Sequence, residues 1–423
     1  MAEGIQNKKV GESDYLFELD NGLRVIFSQT KKSAIVQCGI MVGAGSRCET
    51  AETNGAAHFI EHGLFKGTTK RKSYHILNRI ESVGGELNAF TTRERTCFYT
   101  VSLKKYLDRS IDLLTDLVFN PTFPNAEIEK EKSVITEEIE MYEDSPEESI
   151  FDEFNQSSFP GSSLGHNILG SKNSIQGFNR DLLVKFWKQH YTTNNIVISI
   201  VGSMGPNRIA QIIEKHFVGL PSTSNVKKDA EDVKYSVFEK EISKDFNQVH
   251  CIIGNKAYSI NSSKKYALTI LNNVLDGDWM SSRLNMSVRE KHAYAYHVSS
   301  GYSAYKDTGT YSVQLGTDEK YLHKSVDLIN KEFAKLREVK LTVIQLNRAK
   351  RQLLSQMAMY NENYSSLMQI RGKNLLDFGR IIPHAEIIEN IQKVSAADVL
   401  EVANDVLDKS TLSTLVYRSK RNR

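Results

Sequence analysis

Cysteine is scarce in this chain. Four residues in 423 (Cys38, Cys48, Cys97 and Cys251) are widely spaced and form no CxxC pair. That excludes a disulfide framework and a thiolate metal site, and suits a reduced compartment where thiols serve as small apolar side chains. Proline is sparse too, at seven, and no low-complexity run occurs, which argues against disorder. No stretch reaches the roughly 18 apolar residues of a membrane span. Charge is nearly balanced, 54 basic against 51 acidic residues, so no nucleic-acid partner is expected. The first residues, Met1 to Lys9, lack the apolar centre of a secretory signal and the Arg- and Ser-rich character of a transit peptide. A cytoplasmic location is expected, or an organelle's matrix if the chain is a processed form.

The remainder is ordinary globular composition, 40% apolar and 25% charged. At this length two domains of about 200 residues are the natural prior. Leu16 to Ile26 spells strand, Asn-Gly turn, strand. Ala34 to Val42 is an apolar run fit for a buried strand, and Leu87 to Val101 and Asn195 to Val201 also read as strands. Helical spacing marks Asn54 to Leu64, Tyr74 to Val83, Tyr106 to Val118, Glu127 to Glu143 and Asp181 to His190, with Pro121 and Pro124 as breakers. Periodicity stops near Gly219 to Asn225 and a charged stretch follows. Beyond it the order of elements starts again: a helix at Lys264 to Leu275, strands at Tyr296 to Ser303 and Gly309 to Leu315, and helices at Leu322 to Leu336 and Thr342 to Met359. The expected architecture is α+β: two homologous α/β-sandwich halves, each a mixed sheet packed by helices, forming a clamshell. The halves are 1–220 and 233–423, joined by a linker at 221–232.

Chemistry concentrates at His58-Phe59-Ile60-Glu61-His62, an HxxEH sequence on an expected helix. Residues four apart share a helical face, so both imidazoles can reach one ion, and Glu61 points to the same side. Two histidines and a carboxylate, with one position left for water, make a catalytic rather than a structural zinc site. A third ligand is still required. Glu127 to Glu148 offers ten carboxylates against two lysines, most of them a solvated helix face. Glu131 and Glu138 lie seven apart on one face, with Val134 and Ile135 between them, so that face is partly buried. A buried carboxylate needs a cation or a metal-bound histidine as partner.

These motifs, together with Leu19 to Val25, Gly43 to Arg47, Leu64 to Thr68 and Gly84 to Thr91, resemble the inverted-zincin peptidases of the pitrilysin, insulin-degrading and mitochondrial-processing type. The resemblance covers nearly the whole chain. It implies one Zn2+ per chain held by His58, His62 and Glu138, the last standing 76 residues after His62. It implies that Glu61 activates water and that Glu131 steadies the site. An Arg and a Tyr seven apart in the second half, Arg289 and Tyr296, would contact substrate at the metal, with Tyr294 a competitor for the second role. Both can donate hydrogen bonds to an oxyanion. Substrate would lie as an added strand along Asn88, Ala89, Phe90 and Thr91.

The second half has no HxxEH. Aligning Glu127 with Gln345 places Gln356 opposite Glu138 and Ala349 opposite Glu131. One half would carry the metal and the other would cover it. Two departures from the family pattern, Ala56 and Gly63, fall on packing positions beside the ligands. The function implied is a zinc metalloendopeptidase acting on peptides or unfolded segments. The alternative is a non-catalytic or partner-dependent peptide-binding subunit. Members of this length pair as homodimers or with a paralogue, so a dimer of one kind or the other is expected.

Overall fold

The computed structural model describes residues 5–224, 233–277 and 279–420, so most of the expected linker lies outside the described residues. The chain divides into two compact units. The first is built on a seven-stranded sheet of β1 (Ile5–Lys9), β2 (Asp14–Leu19), β3 (Arg24–Gln29), β4 (Ile35–Val42), β5 (Glu86–Thr91), β6 (Thr96–Leu103) and β7 (Ile196–Gly202). Their order is β1-β2-β3-β7-β4-β6-β5. The second unit has a five-stranded sheet of β8 (Glu239–Lys244), β9 (Val249–Ala257), β10 (Ala295–Ala304), β11 (Gly309–Thr317) and β12 (Ser413–Ser419), in the order β10-β11-β9-β12-β8. Both sheets are mixed: β3 runs parallel to β7 and β8 parallel to β12, while the remaining pairs are antiparallel. The series β3-β7-β4-β6-β5 and β8-β12-β9-β11-β10 is one topology used twice.

The Asn-Gly turn between β2 and β3 has Gly22 at φ +87°, a conformation an L side chain resists. Asn21 fastens it by donating to the Phe217 carbonyl at 2.8 Å. After β4 come α1 (Ala56–Leu64) and α2 (Ser73–Glu81), then the β5–β6 hairpin, α3 (Leu107–Phe119), α4 (Asn125–Asp144) and α5 (Pro146–Ser158). Among the described residues, no helix is long and apolar enough to cross a membrane.

The two units are not divided at residue 220 as expected. The first consists of Met1–Glu140, His166–Asp229 and Tyr360–Pro383, and the second of Met141–Gly165, Ala230–Met359 and His384–Arg423. Two helical segments thus belong to the unit opposite their sequence neighbourhood. The reason lies in β4, where every residue from Val36 to Val42 is buried. Alternate side chains of a strand face opposite ways, so both faces of this sheet need covering. The helix Tyr364–Phe378 packs on β4 and β7. Gly39 has no side chain because Met368 occupies the space: a Cβ there would stand 2.5 Å from the Met368 sulfur. In the second unit, Ile150 and Phe154 of α5 pack with Ile252, Leu415 and Tyr417.

The Tyr364–Phe378 helix is also tied by charge. Arg95, in the turn after β5, forms two hydrogen bonds to Asp377 at 2.9 and 3.0 Å, and the Asp377 side chain is 1% exposed. Removing one member of a buried ion pair leaves the other charge uncompensated. Asp377→Ala should therefore destabilise the first unit by about 3–5 kcal/mol. Urea denaturation in a Trp279→Phe background, followed by the emission of Trp187, checks this, and an unchanged midpoint would show that the ion pair contributes little to that unit.

Candidate metal centre

The metal helix α1 starts at a backbone position that only glycine serves well. Gly55 has φ +95°, and a Cβ on it would stand 2.7 Å from the Leu169 carbonyl oxygen. The first N–H groups of a helix have no partner within it. Here Glu49 supplies one, although it lies outside the helix. Its carboxylate accepts from Gly55 N and Ala57 N, both at 2.8 Å, and from Asn54 Nδ2 at 3.0 Å. Glu49 is 2% exposed. Burial raises the Glu49 carboxyl to about 8, against these three hydrogen bonds. Glu49 thus sets the start of the helix at Ala56, two residues before His58, and it is a positioning residue that motif reading missed. Its signal was the Gly43–Arg47 block, which ends two residues short of it.

From that anchor, Ala56, Ala57, Phe59, Ile60 and Leu64 face the core, leaving His58, Glu61 and His62 on the other side. Gly63 makes room for Phe123, whose ring carbons would lie 3.1–3.2 Å from a Cβ at that position. Phe123 itself takes φ +46° and is fully buried. The departure at Gly63 is therefore a packing exchange, with volume moved from the helix to Phe123.

Opposite stands α4. Its buried stripe is Ile128, Glu131, Lys132, Ile135 and Ile139. Val134, expected on that stripe, is 45% exposed instead, because the helical period turns it toward solvent. Seven of the ten carboxylates between Glu127 and Glu148 are exposed, as a solvated face requires. Glu131 and Glu138 turn inward to α1.

His58 Nε2 lies 3.7 Å and His62 Nε2 3.6 Å from Glu138 Oε2, and the three ligand atoms fall within 4.8 Å of one another. Tetrahedral zinc with bonds near 2.0–2.1 Å holds its ligands roughly 3.3 Å apart, so the set fits such an ion with small adjustment. The donor chemistry fits as well. Burial, helped by neighbouring His62, pushes the His58 pKa down to about 3, which keeps its lone pair free. Among the described residues its Nδ1 is buried with no hydrogen-bond partner. His62 is oriented from behind: its Nδ1–H donates to Glu131 Oε2 at 3.0 Å, leaving Nε2 toward Glu138. Carboxylate–histidine pairs of this kind fix the tautomer of a metal ligand.

Glu131 is kept ionised. Burial pushes its carboxyl upward, but hydrogen bonds from His62 and Lys66 outweigh that and hold it below the usual range. Lys66 Nζ stands 2.6 Å from Glu131 Oε1. Lys66 follows His62 by one helical turn, a spacing that could have been noticed from sequence. Glu61 behaves differently: burial raises its carboxyl, against a hydrogen bond from Thr91. Thr91 Oγ1 donates to Glu61 Oε2 at 2.6 Å. Thr91 ends β5, which pairs with β6 on one side and is the last strand of its sheet. Asn88, Ala89 and Phe90 precede it on that edge strand.

Arg289 and Tyr296 belong to the second unit. Arg289 is exposed on a six-residue π-helical segment, Asn285–Glu290. Tyr296 falls where the β10–β11 register slips between Ala295 and His297, and it is 63% exposed. Between them Ala293 adopts φ +51°. Tyr294, by contrast, is half-buried, with its ring stacked on Tyr321 at 4.8 Å. Single π turns and strand bulges both recur where a side chain must be re-aimed.

Comparison with known proteins agrees with this architecture. The family description "Insulinase (Peptidase family M16)" matches residues 24–172, and "Peptidase M16 inactive domain" matches residues 177–353. The chain is 32% identical over 403 residues to the uncharacterized zinc protease YmxG of Bacillus subtilis, covering 95% of this chain and 98% of that one. It is 30% identical over 403 residues to a probable mitochondrial-processing peptidase subunit beta of Arabidopsis thaliana, covering 91% of this chain and 75% of that one. In fold it is similar to the crystal structure of a protease from Helicobacter pylori, with a TM-score of 0.89 at 20% identity, across 97% of this chain and all of that one.

Two variants probe the centre. Glu131→Gln should weaken zinc binding about 10–100-fold with the fold intact, read by competition with a chelating dye. Glu49→Ala orphans two buried backbone donors, Gly55 N and Ala57 N, and should lower stability by about 2 kcal/mol. A thermal melt equal to wild type would remove Glu49 from its anchoring role.

Proposed function

The chain belongs to the M16 (insulinase) peptidase family, and on that premise we propose that it is a zinc-dependent metalloendopeptidase acting on peptides or unfolded segments. The observation that carries the reading is the convergence of His58, His62 and Glu138 beside Glu61, with Glu61 hydrogen-bonded to the end of an open edge strand. A zinc ion held there would polarise the attacking water and the scissile carbonyl.

The protein's own groups supply the rest. Glu61 takes a proton from the attacking water and passes it to the leaving amine. Its raised carboxyl suits a group that must both accept and return a proton near neutral pH. Thr91 holds the Glu61 carboxylate by one oxygen and leaves the other free. Because Thr91 also ends β5, a peptide hydrogen-bonded along Asn88 to Thr91 would present its backbone in register with the base. Backbone pairing of this kind gives affinity with little sequence preference. Arg289 and Tyr296 enter from the family resemblance, as hydrogen-bond donors to the oxyanion. The bulge at Tyr296 and the positive φ of Ala293 support a functional role, since local strain gathers at such sites.

The deciding assay compares wild type with Glu61→Gln on a pool of unfolded peptides, with bound zinc quantified in both. Wild type should cleave, and the variant should lose about 10²–10⁴-fold in kcat while retaining zinc. If neither cleaves although both hold zinc, the chain is a binding subunit or needs a partner chain, as homodimer or heterodimer. A second assay separates the two tyrosines. Tyr296→Phe should lower kcat by about 10²–10³ at unchanged zinc content, the usual effect of deleting an oxyanion donor. Tyr294→Phe should leave kcat near wild type, and the reverse pattern would exchange their roles.

A further inference from the structure

The duplicated topology sets up a second location comparable to the metal centre. In the first unit the metal lies between α1, which follows β4, and α4. The corresponding helices of the second unit are Lys265–Leu275, which follows β9, and Val343–Glu362. They meet where Asn273 Nδ2 donates to the Ala349 carbonyl at 3.1 Å. Ala349 stands where Glu131 stands in the first unit. Beside this contact is a cavity of about 180 Å3.

Its chemistry is the inverse of the metal centre's. None of the described residues lining it carries a carboxyl, whereas Arg283 and Arg348 both do line it. A second opening of about 350 Å3 shares Arg283 and adds Lys291 and Lys335. The acid of that second opening, Glu332, is paired with Lys335 at 2.6 Å and stands 3.9 Å from Arg283. Arg283 is three-quarters buried, and burial lowers its pKa against the pull of Glu332. Three lining residues also carry buried polar atoms without a hydrogen-bond partner: Asn273 Oδ1, Trp279 Nε1 and Ser282 Oγ. Asn273 and Ser282 are each 5% exposed. Asn273 Oδ1 is an acceptor, but Trp279 N–H and Ser282 O–H are donors. Buried donors left unpaired are costly, so two beside one cavity point to a ligand that accepts from them.

We propose that this cavity of the second unit binds a small oxyanion, a phosphate or carboxylate group, between the Arg283 and Arg348 guanidinium groups, with Trp279 N–H and Ser282 O–H as further donors. Guanidinium groups present planar forks of N–H donors that suit both kinds of anion. All of the cavity's lining residues belong to the second unit. The site would let an anionic group, free or carried on a longer ligand, occupy the second unit beside the counterpart of Glu131.

Trp279 makes the idea directly measurable. The chain has two tryptophans, so in a Trp187→Phe background Trp279 is the sole indole reporter. Inorganic phosphate and, separately, acetate are titrated against sodium chloride of equal ionic strength. A saturable change in Trp279 emission is expected with phosphate, with acetate, or with both, and the responding salt identifies the group recognised. Arg283→Gln should raise the half-saturation concentration at least about tenfold, the loss of one charge-assisted contact. Arg348→Gln should do the same, and because Arg348 is exposed, that variant tests the charge without threatening the core. A response no different from chloride, or one unchanged in both variants, overturns the proposal.

Discussion

Glu61, Glu131 and Glu138 crowd around two imidazoles in a partly buried space, and the surrounding structure is arranged to make that tolerable. Carboxylates taken from water raise their pKa or find a cation. Each of the three meets the problem in its own way. Glu131 has Lys66 and the His62 N–H. Glu61 has the Thr91 hydroxyl and a raised pKa. Glu138 is left facing two histidine nitrogens, with a raised pKa that only the charge of His62 opposes. That is the position where a divalent cation relieves the most repulsion, and it is why the three ligand atoms form a coherent set.

Holding those groups in place falls to a short helix, and the helix depends on its ends. Nine residues are too few for stability in isolation, so α1 relies on burial along one face and on Glu49 at its start. The β5–β6 hairpin supplies both the Thr91 contact and, through Arg95, the tie to the helix Tyr364–Phe378. A residue at position 377 is thereby linked to the placement of the Glu61 carboxyl, the proposed general base, through contacts within one unit.

The two units show how one topology diverges. Both keep the same strand order with one parallel pair. At the counterpart of Glu131 the second unit has Ala349, and at that of Glu138 it has Gln356, which donates to the Gly277 carbonyl at 3.1 Å. One carboxylate has given way to a methyl group and the other to an amide. The strand order persists where the ligands do not, because backbone packing and not the ligands defines it.

By itself the sequence determined the chemistry: HxxEH with helical spacing, a carboxylate pair seven apart on a later helix, an Asn-Gly hairpin and a repeated order of elements. These are local signals, carried by periodicity and by residues close in sequence, and they need no knowledge of distant contacts. Other features were decided only in three dimensions. The exchange of α5 and the Tyr364–Phe378 helix between units follows from two-sided burial of β4, which a single strand's pattern cannot assign to a partner. The edge strands β1 and β8 exist because neighbours pair with them; Glu239 to Lys244 is mostly charged, with Ile242 its one apolar residue. Glu49, Lys66 and Thr91 serve the centre through single hydrogen bonds and one ion pair, which leave no periodic trace. Whether Tyr294 or Tyr296 is available was likewise settled by packing, since a ring stacked on Tyr321 and a ring turned outward at a bulge look alike as letters in a chain.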